Sequence, residues 1–299
     1  MCRCGVGSVN APIITQPGFY FDVTPAQYFA EPCPAAALTN SGIKMLAGKQ
    51  APAKFAHWHP RLNPDAPTSK DSAAKRMGSL VHRLALDKGD DYEISPYDKY
   101  QSNEAKAWKA SVEDRGNVPV KQADLDEATA MADILRAGLE RAFDGREYHT
   151  EVVLAWQEET QYGTVWCRGM LDAWCPDLLM GIDLKTCADA SDEAIDKVFS
   201  SGYAVQDYWY LRGIERITKQ YGRCSMPFLF IEKEEPLLTR IADSGEAFKS
   251  GAEMVCNNAL NIFARCLSIG EWPGYERKTA LPKPWWLNEC AALEYEEAA

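Results

Sequence analysis

Two short segments decide the reading of this chain: Gly169-Met170-Leu171-Asp172 and, eleven residues beyond that aspartate, Asp183-Leu184-Lys185-Thr186. Alternation along a strand puts Asp183 and Lys185 on the same face. Met180, Ile182 and Leu184 make the other face apolar, so this is a core strand whose two charges must find partners. If the strand ending near Asp172 pairs as a hairpin with the one beginning near Leu178, Asp172 comes to lie close to Asp183. Two carboxylates and a main-chain carbonyl, that of Leu184, are hard oxygen ligands suited to Mg2+ or Mn2+. Lys185 then stands where it could position or deprotonate a water, the equipment of metal-assisted phosphodiester hydrolysis. Taken singly, each segment is equally compatible with a turn aspartate and a surface ion pair.

Outward from this point the pattern is period two. Residues 152–156, 164–174 and 178–186 read as consecutive strands, with turns at Tyr162-Gly163 and Pro176-Asp177. Residues 227–231 form a fourth, fully apolar strand. Helices are expected over 72–88, with Met77, Leu80, Val81, Leu84 and Ala85 as its apolar stripe and Gly89 as its stop, and over 203–220 and 244–267. A further helix over 125–143 has Asp124 as its expected N-cap, Glu127 completing a capping box, and Gly145 after its end. Residues 96–122 read as polar, punctuated by Pro96 and Pro119. A meander of strands followed by a crossover helix and another strand is an α/β fold with a central mixed sheet flanked by helices. The expected division is an N-terminal extension packed on the core (1–54), a catalytic domain (55–275) and a tail (276–299).

Composition sets wider bounds. The chain has 299 residues, 46% apolar and 25% charged, which excludes a disordered or fibrous protein. No stretch approaches the roughly 18–20 apolar residues that cross a bilayer, and the N-terminal residues lack the apolar core of a signal peptide. A soluble, cytoplasmic protein without membrane partners is expected. The ten cysteines are scattered and read as reduced thiols, several of them in the core; only Cys2-x-Cys4 is tightly spaced, and it lacks a second pair to make a zinc site. The net charge is −11, yet residues 41–88 carry nine Lys/Arg against three Asp/Glu. An acidic chain can therefore still present a basic face.

Two helical pairs complete the pattern: Gly78-x-x-x-His82 and Gln206-x-x-x-Tyr210, each projecting from one face of its helix. In this order, His82, Asp172, Asp183-Leu184-Lys185 and Gln206-x-x-x-Tyr210 resemble the RecB-like branch of the PD-(D/E)XK nuclease superfamily, with its restriction-endonuclease-like core. Met77-Gly78-Ser79-Leu80-Val81-His82 and Gly181-Ile182-Asp183-Leu184-Lys185-Thr186 look most like the phage RecE, or exonuclease VIII, type. The resemblance spans roughly residues 55–270. It implies that His82, Asp172, Asp183 and the Leu184 carbonyl hold Mg2+ or Mn2+ and that Lys185 activates the attacking water. Gln206 and Tyr210 would orient Lys185 or a phosphate, and Glu151 would serve as a further carboxylate, with Glu147, Glu158 and Glu159 as alternatives.

The resemblance also implies a 5′→3′ exonuclease acting on linear double-stranded DNA ends, leaving 3′ single strands for a RecT-type annealing protein in phage recombination, and working as a homo-oligomeric ring. The alternatives are a nuclease of other polarity, a structure-specific endonuclease, or a non-catalytic scaffold for an annealing partner. Cys256, Cys266 and Cys290 are too spread for the iron–sulfur cluster of some relatives, and no Walker A pattern is present, so neither a cluster nor ATP is expected. Lys75, Arg76 and Arg83 are the expected DNA contacts, in a basic segment that also holds Lys54, Arg61 and Lys70 around Phe55 and Trp58.

Overall fold

The computed structural model describes residues 13–48, 50–67, 73–89, 91–278, 280–281 and 284–285. In chain order the elements are β1 (Gly18–Tyr20), α1 (Pro25–Phe29), β2 (Ala37–Leu38), α2 (Asn40–Leu46), α3 (Pro52–Trp58) and α4 (Ala73–Leu86). There follow β3 (Tyr92–Ile94), α5 (Asn103–Asp114), β4 (Val118–Val120), α6 (Gln122–Ala142), β5 (His149–Thr160), β6 (Gly163–Cys175) and β7 (Met180–Cys187). The chain closes with α7 (Asp192–Val198), α8 (Ala204–Thr218), β8 (Phe228–Glu232), β9 (Thr239–Ala242) and α9 (Glu246–Ile269). Among the described residues no helix is long and apolar enough to cross a membrane.

One mixed sheet organises these elements, running β1-β5-β6-β7-β8-β9 with β2 added beside β6. The long β5–β6 hairpin is its spine, antiparallel from His149↔Trp174 to Thr160↔Gly163. Strand β7 continues the meander against β6, and β8 returns parallel to β7 after the crossover through α7 and α8. One face is covered by α4 and α6, whose Val81, Met131, Leu135 and Leu139 pack with Ile182, Leu184 and Leu229 of the sheet. The other is covered by α2, α3, α8 and α9, where Phe55, Trp209, Ile214 and Phe263 meet Leu154, Trp156 and Leu171. Helix α8 lies so close to β5 that a Cβ on Gly213 would sit 2.3 Å from Leu154 Cδ1. Burying Trp156 and Trp209 completely, with contacts of this density, is what fixes one arrangement of helix on sheet.

Several expectations are revised. No sheet boundary falls at residue 54: β1 pairs with β5 and β2 with β6, so the N-terminal segment is built into the sheet rather than laid over it. Helix α6 starts at Gln122 with Lys121 at its N-cap, not at Asp124 with a Glu127 box. The backbone therefore stays helical through Asp124, which falls in the first turn, where its charge still meets the helix dipole favourably. The segment read as polar holds α5 and β4, with Pro119 inside β4, which pairs in parallel with β3 just ahead of the segment. Helix α8 ends at Thr218, capped by Lys219 in the left-handed conformation, two residues short of the expected end at 220. Cys2, Cys4, Lys70 and Cys290 lie outside the described residues.

Candidate active site

The sheet forks at the two aspartates. Strands β6 and β7 pair through Ala173↔Ile182, Trp174↔Gly181 and Cys175↔Met180, a register whose next step would set Asp172 directly opposite Asp183. The ladder stops there, and from Asp183 onward β7 pairs with β8 instead. Farther along the same edge of β6, β2 pairs with Trp166 and Cys167. The stretch of β6 between these two partners, ending at Asp172, faces an opening in the sheet.

Side chains take the place of the missing ladder. The amide freed on Leu184 donates to Asp172 Oδ2 at 2.6 Å, and His82 Nδ1 from α4 stands 3.5 Å from the same oxygen. Lys185 Nζ donates to Asp183 Oδ2, while Gln206 Nε2 from α8 donates to Asp183 Oδ1 at 2.5 Å. The predicted same-face pair of Asp183 and Lys185 is thus a direct ion pair, and it lies over aromatic rings: Lys185 Nζ is 5.7 Å from the Tyr203 centroid and 5.6 Å from that of Phe228. Burial pushes the Asp183 carboxyl up, against the pull of Lys185, and the Asp172 charge adds to the rise. For Lys185, burial alone would lower the ammonium's pKa, but Asp183 and Asp172 outweigh it and the net shift is upward. As arranged, Lys185 is therefore a proton donor.

Backbone geometry aims Asp172. Leu171 packs under α8 and α9, whereas Ala173, two residues on, packs under α4 and α6, so β6 rolls through its pleat at the aspartate. Across the hairpin, between Thr150↔Ala173 and Val152↔Leu171, Glu151 adopts a left-handed φ of 49°. Such a conformation costs a non-glycine residue about 1–3 kcal/mol and tends to persist where surrounding structure enforces it, often at functional sites. Glu151 is thus opposite Asp172 in register, but twisted out of the regular ladder.

Other expected residues land elsewhere. Tyr210 does not reach Lys185: its ring lies against Gly169, where a Cβ would come within 2.7 Å of it, and its hydroxyl takes the Met170 backbone N–H. It props β6 from beneath, since a helix residue one turn beyond Gln206 faces the sheet at a different level. Gln206 orients Asp183 rather than Lys185. An added Cβ on Gly78 would meet Thr186 Oγ1 of β7 at 3.4 Å. Arg83 turns away to Asp87 (3.3 Å) and Asp91 (3.6 Å), acids at its own end of α4 that compete with any phosphate. Arg61 donates to the carbonyls of Glu31, Cys33 and Pro34, clamping the N-terminal loop. Lys75 and Arg76 are exposed on α4. Of the alternative carboxylates, Glu158 is buried against Arg212 and Glu159 accepts from Thr164.

One site residue was not singled out in the sequence. Lys44 of α2 reaches the same Tyr203 ring, its Nζ 5.8 Å from the centroid, and crowding lowers its pKa with the nearby Lys185 charge adding to the effect. Its only sequence signal is membership of the basic 41–88 segment.

Among the described residues, no group of three or more His, Cys, Asp or Glu side chains stands close enough together to grip a metal as arranged. The reason is visible: Asp183 has both oxygens engaged by Lys185 and Gln206, and Asp172 Oδ2 takes the Leu184 amide. The donor set nevertheless fits a hard divalent cation, because two acids from facing strands and an imidazole beside one of them offer oxygen and nitrogen ligands. Gripping such an ion takes an exchange of partners at Asp183.

A mixed sheet forked at two facing aspartates, with a lysine two residues after the second and a glutamine reaching in from the crossover helix, defines the PD-(D/E)XK-like class. The chain belongs to the family described as PDDEXK-like domain of unknown function (DUF3799), whose model matches residues 41–281. Among solved structures, a candidate exonuclease from Eubacterium rectale is similar with TM-score 0.50 and 17% identity, over 86% of this chain and 93% of that one. A phage-related exonuclease from Haemophilus somnus 129PT gives TM-score 0.33 and 13% identity over 79% of this chain and 96% of its own. At 17% identity the likeness to the Eubacterium rectale protein concerns the fold alone. No match was found among curated proteins.

Proposed function

We propose that this chain is a divalent-metal-dependent deoxyribonuclease that hydrolyses phosphodiesters from the ends of linear double-stranded DNA. The observation that carries the reading is the convergence at the sheet fork of Asp172, Asp183 and Lys185, with Gln206 fixed on one acid and His82 beside the other. His82, Asp172, Asp183 and the Leu184 carbonyl are the groups that would hold Mg2+ or Mn2+, which when bound supplies Lewis acidity toward a phosphate oxygen. The chain's own residues do the rest. The Leu184 amide fixes Asp172, Gln206 fixes Asp183, and Lys185 keeps its proton on Nζ, ready to stabilise charge on the phosphate or to donate a hydrogen bond that positions the attacking water. The flanking strand β8 and the rings of Tyr203 and Phe228 keep Lys185 in place.

The finer reading follows the RecE resemblance: 5′→3′ polarity leaving 3′ single strands, hand-over to a RecT-type annealing protein in cytoplasmic phage-type recombination, and a ring-shaped homo-oligomer. The test is digestion of linear duplex DNA labelled separately at its 5′ and 3′ ends, with and without Mg2+ or Mn2+, beside a closed circle. Metal-dependent release of the 5′ label first, with the circle spared, is the expected result. Intact linear DNA with wild type, and no difference in Lys185→Ala, would overturn the nuclease reading; early release of the 3′ label would overturn only the polarity.

A further inference from the structure

The opening on the edge of β6 is bordered on one side by the site and on the other by β2, and α2 starts two residues after β2 ends. Thr39 caps α2 through the Gly42 amide, and Gly42, Ile43 and Leu46 are buried, which turns Lys44 outward from the core. Its tip then runs along the turn of Phe199–Tyr203 that precedes α8. A Cβ on Gly202 would meet Lys44 Cε at 3.3 Å and Nζ at 3.7 Å, and Gly202 has a φ of 125°, so glycine both permits the turn and leaves the passage for the lysine. This kink at Gly202 leads into Tyr203, the ring that both Lys44 and Lys185 approach. Lys185 is paired with Asp183, but among the described residues no carboxylate forms an ion pair with Lys44. Two ammonium groups gather at this ring, Asp183 and Asp172 act on Lys185, and the Lys44 ammonium is the one that an incoming anion could pair with directly.

We propose that Lys44 is a phosphate-binding residue of this site, contacting the DNA backbone beside the linkage that is cut, with Tyr203 as the shared rest for both lysines. The inference rests on the nuclease reading and adds to it a residue from outside the strand-and-helix motif. The experiment compares wild type, Lys44→Met and Lys44→Arg in two assays. One is steady-state digestion of linear duplex DNA with Mn2+. The other is binding of the same duplex without divalent metal, by fluorescence anisotropy over a range of salt concentrations. Lys44→Met is expected to raise KM about tenfold or more, as loss of one charged hydrogen bond does. It should also reduce the slope of log affinity against log salt by about 0.9, the contribution of one phosphate contact. Lys44→Arg should restore most of both. Thermal melting shows that each variant is folded, and Lys44→Gln replaces Lys44→Met if the latter melts early. If wild type cleaves and binds while Lys44→Met matches it in KM and in slope, the proposal is overturned and the nuclease reading stands. If wild type neither cleaves nor binds duplex DNA, the nuclease reading falls and Lys44 falls with it.

Discussion

Replacing Glu158 by alanine removes the anchor that fixes α8 to the sheet. Glu158 is 3% exposed and accepts from Arg212 twice, at 2.6 and 2.8 Å, from Trp156 Nε1 at 3.0 Å and from Arg216 at 3.3 Å. Arg212 is itself 14% exposed and, among the described residues, keeps the Asn257 side chain as its hydrogen-bond partner when the acid is gone. Breaking one half of a buried ion pair costs about 3–5 kcal/mol, because the other charge stays buried without its partner. For a chain of this size that lowers the melting midpoint by about 10 °C. The assay is calorimetry or urea unfolding of wild type, Glu158→Ala, Arg212→Met and the double variant. The double variant should be more stable than the sum of the single losses predicts, by about 1–3 kcal/mol, because it leaves no orphaned charge. Acid should act in the same direction as the mutation. Burial pushes the Glu158 carboxyl up, but the Arg212 hydrogen bonds and charge, then Arg216 and Trp156, outweigh it and hold the carboxyl below its ordinary value of 4.5. A depressed folded value means stability that is full above the ordinary value and is lost as pH falls through the folded one. Wild type should therefore lose more stability than Glu158→Gln on acidification below pH 4.5. A loss under about 1 kcal/mol for Glu158→Ala, or strict additivity in the double variant, would refute the reasoning.

Two further outcomes follow from the site and the core. Gln206→Leu removes the donor on Asp183 Oδ1 and should weaken Mn2+ binding and DNA cleavage by about 10–100-fold, read by calorimetry and by end-label release; unchanged metal affinity would mean that Asp183 needs no orienting partner. Burial pushes the thiols of Cys33 and Cys256 up to about 12, against Arg168 and Arg212 respectively, and raises Cys167 well above its ordinary value. These three should resist alkylation at neutral pH until the protein is unfolded, and mass-spectrometric labelling of any of them in the native state would contradict the packing.

The parts of the sequence that could be read were those where period and chemistry agree. The alternation in 178–186 exposed Asp183 and Lys185 as a same-face pair on a core strand, and the structure has them hydrogen-bonded. The apolar stripe of α4 gave His82 its side of the sheet. Strands β1 and β2 were hidden because 3 and 2 residues are too few to show a period, and they form only because β5 and β6 offer ready edges. The roll of β6 at Asp172 and the twist at Glu151 are tertiary, and strict alternation cannot anticipate them. Spacing likewise put Tyr210 on the face of Gln206, but a one-turn offset decides between reaching a carboxylate and filling a glycine's hollow. Lys44 was illegible for another reason: its neighbour Lys185 lies more than a hundred positions on in sequence, and the two-residue strand just before Lys44 is what brings it there.

That two-residue strand also sets where the chain can be shortened. The matched family region opens at residue 41, after both β1 and β2. Trimming an expression clone to that limit, or to residue 55, would strip strand neighbours from β5 and from β6 and bare their amide and carbonyl rows to other copies. A truncate of this kind should be recovered as aggregate or inclusion bodies even though every residue of the metal-and-lysine motif is retained, so the span recognisable by family likeness is shorter than the span that can stand alone.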